Sequence, residues 1–253
     1  MRPAPRRQSR VDSVARENVA RYVVARSTLR QAIKGRSPGL HHERQLWDAG
    51  NEVVAGIDEV GRGSWAGPLT LAAVVVPRDR RLYKVRDSKM LTEAERELMH
   101  DRIVDWAQHI SVGHASPLEC DELGMSAAQK LAARRAMTGL GVKVDHVLVD
   151  GNWRFVEGVD CTTIVKGDTI SLSIAAASII AKVTRDRLMR KLHLSHPGYF
   201  FDSNKGYPCP RHKAALASMG ASAIHRRSWS FMDDLRWTGT PRLVADDPQL
   251  ELF

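Results

Sequence analysis

Apolar residues cluster along this chain in short runs bounded by glycine, proline and acidic residues, and their spacing alternates between strand-like and helical. Runs over 52–59 and 69–76 read as two strands joined by a glycine-rich turn, the second nearly all apolar and closed by Pro77. Thr92 followed by Glu95 predicts a capped helix over 93–108, with Leu98, Ile103 and Trp106 on roughly one side. A further strand is expected over 109–115, then an alanine-rich helix over 126–140 stopped by Gly139 and Gly141. Two short buried strands follow: 146–149, ending at Asp150-Gly151, and 161–165, ending at Lys166-Gly167-Asp168. A long helix is predicted over 169–192, before the His196-Pro197-Gly198 break. Ile170, Ile174, Ala177, Ala181 and Leu188 form its buried side, and Ser171, Ser178, Lys182 and Arg185 a polar stripe. Strands first, then strands alternating with helices, imply an α/β domain with a mixed sheet covered on both faces.

Three segments are expected: a basic extension over 1–40, a folded domain over 41–238 and an extended tail over 239–253. Ser37-Pro38-Gly39 punctuates the first boundary, and a short helix fits within 19–32. The formal charge of +9 changes this picture, because residues 1–36 hold ten Lys/Arg against two Asp/Glu. The domain itself is nearly balanced. A basic arm can add salt-sensitive affinity for a phosphate backbone, or be a solvated extension with no specific role; both readings stay open. No apolar run reaches the roughly 20 residues of a membrane span, and no apolar block follows the N-terminal arginines as in a signal peptide. Cys120, Cys161 and Cys209 are odd in number and widely spaced, so disulfides and zinc are not expected and a cytoplasmic location is.

Chemistry concentrates where apolar runs end in acids. Asp58 and Glu59 close the first strand, and at a strand end both can approach one point. Asp150 closes another strand, and Asp168 follows a third, at a position that also suits a helix N-cap. Strand ends converge in α/β sheets, and four carboxylates together suit hard divalent cations. Gly61-Arg62-Gly63-Ser64-Trp65-Ala66-Gly67 has the spacing G-x-G-x-x-x-G, with Pro68 and a strand after it, which excludes a dinucleotide-binding loop. Its glycines let the backbone approach a sugar or phosphate. Lys89 and Lys205 are loop lysines that suit phosphate contacts, and Tyr207 can stack on a sugar or base. His196, His212 and His225 lack metal-ligand spacing and are expected to be structural.

Several segments together carry a resemblance. They are Gly56-Ile57-Asp58-Glu59-Val60-Gly61-Arg62-Gly63, Ala66-Gly67-Pro68, Asp87-Ser88-Lys89 and Val149-Asp150-Gly151. Further along stand Val165-Lys166-Gly167-Asp168, Ile174-Ala175-Ala176-Ala177-Ser178, Lys182-Val183-Thr184-Arg185-Asp186, Lys205-Gly206-Tyr207 and His225-Arg226-Arg227-Ser228. In this order, over roughly 45–230, they resemble bacterial ribonuclease HII. Related type III enzymes carry Ser and Lys where Val60 and Arg62 stand here. The resemblance implies an RNase H-like fold, cleavage of the RNA strand of RNA–DNA hybrids, and incision at single ribonucleotides in duplex DNA. It implies a two-metal site for Mg²⁺ or Mn²⁺ on Asp58, Glu59, Asp150 and Asp168. It makes Gly61, Arg62 and Gly63 a ribose-reading loop and Tyr207 a junction sensor. Ser88, Lys89, Lys166, Lys182, Arg185 and Lys205 become further candidates for substrate contact. Met90 departs from relatives with a second lysine there, and the arginine-rich residues 1–36 exceed the usual N-terminus.

The last five residues resemble another known pattern. Gln249, Leu250, Glu251, Leu252 and Phe253 are similar to the bacterial sliding-clamp-binding pentapeptide, with Glu251 at its variable place. A terminal apolar anchor on a polar leash suits a groove on a partner. The resemblance makes Gln249, Leu250, Leu252 and Phe253 candidate clamp contacts.

Overall fold

Strand β1 (Val54–Val60) is hydrogen-bonded on both sides, and the rest of the sheet grows outward from it. The computed structural model describes residues 37–235. The arginine-rich arm, the helix expected within 19–32 and the tail motif over 249–253 lie outside the described residues. β2 (Leu69–Val75) and β3 (His109–Ala115) extend the sheet antiparallel, while β4 (His146–Asp150) and β5 (Asp160–Ile164) extend it parallel on the other side. The order is β3-β2-β1-β4-β5, the mixed sheet that the alternation of elements predicts.

Side-chain parity along β1 divides the core into two layers. Ala55 and Ile57 pack with Leu69, Leu71 and Ala73 against Ala128, Ala132 and Ala136 of α3 (Pro117–Gly139). Val54 faces the opposite way, with Leu148, Ile164 and Ile174, toward α5 (Leu172–His193) and α1 (His41–Asp48). α2 (Glu93–Trp106) has the predicted capping box of Thr92 and Glu95. Both faces bring helices very close. A Cβ on Gly56 would lie under 3.0 Å from the Ser173 backbone, and one on Gly113 equally close to the Ala132 carbonyl oxygen. Only glycine fits at either crossing.

Two predicted helices differ in their boundaries. α3 begins at Pro117, where Ser116 and Glu119 form a capping box; Gly124, at φ 74°, interrupts the helix and hides this start from a periodicity reading. The helix predicted over 169–192 is two pieces. One turn, α4 (Gly167–Ile170), breaks at Ser171, which is extended and caps α5. Asp168 therefore lies inside α4 and is not an N-cap, and Ile170, expected to be buried, is 44% exposed. The polar stripe along α5 is mostly buried, with Ser171 at its cap and Ser178 and Arg185 enclosed.

The break is fixed by distant chain. The Gly39 backbone bridges Ser171, and buried Glu43 of α1 accepts hydrogen bonds from Ser171 Oγ, Ser173 N and Ser173 Oγ at 2.7–2.8 Å. Two short helices, α6 (Phe201–Asn204) and α7 (Pro210–Met219), follow α5, with a further apolar cluster around Tyr199, Phe201, Leu216 and Trp65.

Candidate active site

β4 pairs with β1 only as far as Ile57, whereas β1 continues beside β2 through Val60. Asp58 and Glu59 therefore sit within the β1–β2 ladder, opposite Ala72 and Leu71, and not at a free strand end as predicted. The pleat alternates their directions. Asp58 shares the parity of Gly56 and faces α5, on the side of Ser178, whose hydroxyl partly offsets the rise in the Asp58 pKa. Glu59 takes the other parity, remains partly exposed and lines the same cleft, a hollow of about 450 Å³.

Asp150 ends β4, and its Oδ1 accepts the Gly167 N–H at 2.7 Å. Lys166 adopts φ 57°, turning the chain sharply after β5 and bringing Asp168 back toward Asp150. Asp58, Asp150 and Asp168 each offer a carboxylate oxygen within 4.8 Å of the others. This is the group the sequence predicts, less Glu59, which falls outside that radius because of the pleat. Burial first, then Glu59 and Asp150, push the Asp58 carboxyl well above the ordinary range. Asp168 is also raised, by burial and by Asp87 and Asp150, with Lys89 Nζ at 3.4 Å opposing. Glu59 is raised by burial and Asp150, offset by Arg62 and Lys89.

The glycine-rich loop forms the far wall. Gly61 has φ 88°, and a Cβ there would collide with the Arg185 guanidinium, so glycine is required on both counts. Its N–H donates to Tyr207 Oη at 3.0 Å. Arg62 and Gly63 are exposed along the cleft with Lys89, while Ser88 is buried in its wall. Lys182 also lines it, with Nζ 2.8 Å from Asp186 and over the Tyr207 ring.

Two candidates for substrate contact are placed differently. Arg185 is fully buried and donates to Pro68 O, Ala66 O, Lys205 O and Ser64 Oγ at 2.8–2.9 Å, so it builds the loop from beneath. Lys205 is 7% exposed, with its ammonium turned to the Asp202 carbonyl and Glu93, away from the cleft lining. Lys166 is exposed on its turn. Arg226 escaped the sequence reading as a loop support. It donates to Gly67 O and Arg62 O, and nothing in local spacing marks a residue whose partners lie some 160 positions earlier.

The donor chemistry fits a hard divalent cation. Three anionic oxygen ligands converge, two of them nearly buried and destabilised by mutual repulsion that a cation would relieve. Around them stand cations on the rim and peptide groups of a glycine turn, the arrangement needed to receive a phosphodiester.

A family model described as ribonuclease HII matches residues 55–232. A ribonuclease HII of Streptomyces avermitilis is 44% identical over 187 residues, 74% of this chain and 80% of its own. One of Salinibacter ruber is 46% identical over 199 residues, 77% of this chain and 100% of its own. Among solved structures, the ribonuclease H2 of Pyrococcus horikoshii OT3 is similar with a TM-score of 0.61 and 30% identity, covering 72% of this chain and 96% of that one. An RNase HII of Archaeoglobus fulgidus, solved in complex with PCNA, is similar with a TM-score of 0.62 and 29% identity, covering 74% and 98%.

Proposed function

The chain belongs to the ribonuclease HII family of type 2 RNase H hydrolases acting on RNA–DNA hybrids, and we propose that it also incises duplex DNA at single embedded ribonucleotides. The expected ends are a 3′-hydroxyl and a 5′-phosphate. The observation that carries this reading is the convergence of Asp58, Asp150 and Asp168 within 4.8 Å beneath a glycine-flanked arginine. Asp58, Glu59, Asp150 and Asp168 would hold Mg²⁺ or Mn²⁺. Such ions supply Lewis-acid stabilisation of developing oxyanions and lower the pKa of a bound water. Arg62, Lys89 and Lys182 draw the phosphate backbone to the cleft, and the Gly61–Gly63 peptide groups lie where a ribose can be read. A 2′-hydroxyl is the local chemical difference available to distinguish ribose from deoxyribose. Tyr207 offers a ring on which the sugar after the junction can rest.

The test is a duplex carrying one ribonucleotide, compared with the all-DNA duplex in Mg²⁺, Mn²⁺ and EDTA. Cleavage of the first alone, lost in EDTA, is expected. Asp58→Asn or Asp150→Asn should reduce turnover by about a thousandfold or more while substrate binding persists. Near-normal turnover in either variant would refute the assignment.

The domain limits of 1–40, 41–238 and 239–253 belong to the same reading. So does a cytoplasmic location, supported by three free cysteines; among the described residues no helix is long and apolar enough to cross a membrane. Gln249, Leu250, Leu252 and Phe253 are proposed to engage a sliding clamp, a partner class supported by the PCNA complex of the Archaeoglobus fulgidus relative. Deleting 249–253 should abolish capture by the clamp in a pull-down and leave hydrolysis of short duplexes intact; unchanged capture would end that idea.

A further inference from the structure

Behind the cleft, two buried histidines have their protonation pattern dictated from outside. His225 Nδ1 accepts the Ser222 backbone N–H at 2.9 Å, so that nitrogen carries no proton. His212 Nδ1 lies 2.9 Å from the Tyr207 carbonyl oxygen, which can only accept, so that nitrogen must carry one. The two remaining ring nitrogens, His212 Nε2 and His225 Nε2, are 2.9 Å apart. A neutral imidazole has one N–H, so His225 presents Nε2–H to a bare His212 Nε2. Hydrogen bonds thus run one way, from the Ser222 N–H through both rings to the Tyr207 carbonyl. Ser222 Oγ, 2.8 Å from His225 Nδ1, adds a donor at the same end.

We propose that His212 and His225 form a positioning unit that fixes Tyr207, and through it the Gly61 turn, for binding the ribose-bearing strand; the proposal rests on the nuclease reading above. Tyr207 is held at both ends. Its carbonyl is gripped by His212, and its hydroxyl accepts the Gly61 N–H at 3.0 Å. The pair is shut off from water, with His212 and His225 0% and 2% exposed among Trp65, Tyr199 and Phe201. The segment bearing His225 is tied to the same loop: Gly67 N–H donates to Ile224 O, and Arg226 N–H to Trp65 O. One directional chain therefore sets the height of the Tyr207 ring over the cleft. Neither histidine lines the cleft, so both act through the tyrosine.

Two measurements on the full chain test this. In ¹H–¹⁵N spectra of ¹⁵N-histidine-labelled protein at neutral pH, His225 is expected as the Nε2–H tautomer and His212 as Nδ1–H; the reverse pattern overturns the proposal. In kinetics on the single-ribonucleotide duplex, His212→Asn keeps a donor toward the Tyr207 carbonyl and His212→Leu does not. The leucine variant should raise KM about tenfold with kcat changed less than about threefold, and the asparagine variant should recover most of the loss. Equal KM in the two variants overturns the unit. Should His212→Leu fail to fold, His225→Gln against His225→Leu repeats the comparison one link along, with the same ordering expected and equality again overturning it. Cleavage by the wild type with the wrong tautomers refutes the positioning unit alone, whereas a wild type that cleaves neither hybrid nor ribonucleotide duplex refutes the nuclease reading itself.

Discussion

Arg185 and Arg226 carry guanidinium groups into the core with no carboxylate in salt-bridge range among the described residues; their partners are carbonyl oxygens and the Ser64 hydroxyl. Burial draws the Arg185 pKa down to about 10, which still leaves it charged at neutral pH. By pulling the carbonyls of Arg62, Ala66, Gly67 and Pro68 inward, the two side chains set the path of the loop that faces substrate. A lysine cannot span four acceptors with one ammonium. Arg185→Lys should therefore lower stability by about 2–4 kcal/mol and raise KM several-fold, read by thermal melting and initial rates. At this scale the acids were legible in the sequence, since Asp58, Asp150 and Asp168 each come after a short apolar run, even though Asp58 lies inside β1 and not at its end. Arg185 was not, because helical spacing does not distinguish a solvated cation from one whose partners arrive from residues 64–68 and 205. His212 and His225 were equally silent, their partnership being made only by folding.

At the scale of elements, the two helix–sheet crossings are equally tight but differ in what they position. Gly56 seats α5, which carries Ser178 and Lys182 into the cleft, whereas Gly113 seats α3 on the opposite face. Gly56→Ala and Gly113→Ala should both lower the melting temperature, each by the equivalent of roughly 2–4 kcal/mol. At a temperature where both remain folded, Gly56→Ala should lose cleavage at least about tenfold while Gly113→Ala stays near wild type; equal losses would show that α5 placement is not what the site depends on. The strands and most helices were legible because periodicity is local. The break at Ser171 was not, since Glu43 enforces it from about 130 residues away. α1 and α7 were missed for a related reason: α1 is short and polar, with its buried residue a glutamate, and α7 follows a proline-rich turn with little apolar periodicity.

For the whole molecule, the buried histidine pair sets an acid limit. Burial, then His212 and the nearby Arg227 guanidinium, lower the His225 pKa from 6.5 to about 3. The unfolded chain takes up this proton near pH 6.5 and the folded chain only near pH 3, so the unfolded state binds more protons between them. Stability from this group is complete above about pH 7 and falls as pH drops through that window, by roughly 4 kcal/mol at its end. Denaturant melts from pH 7 to 4 should show wild type losing stability more steeply than His225→Gln; parallel slopes would refute the assignment. The pleat of β1 has a last consequence of this global kind. Slipping β1 by one residue against its neighbours would turn Asp58 into the alanine-lined layer of α3 and present a different residue to α5. A mispaired copy would lack one of the three carboxylates that converge at the site, so the same register that buries the core also assembles the acidic cluster.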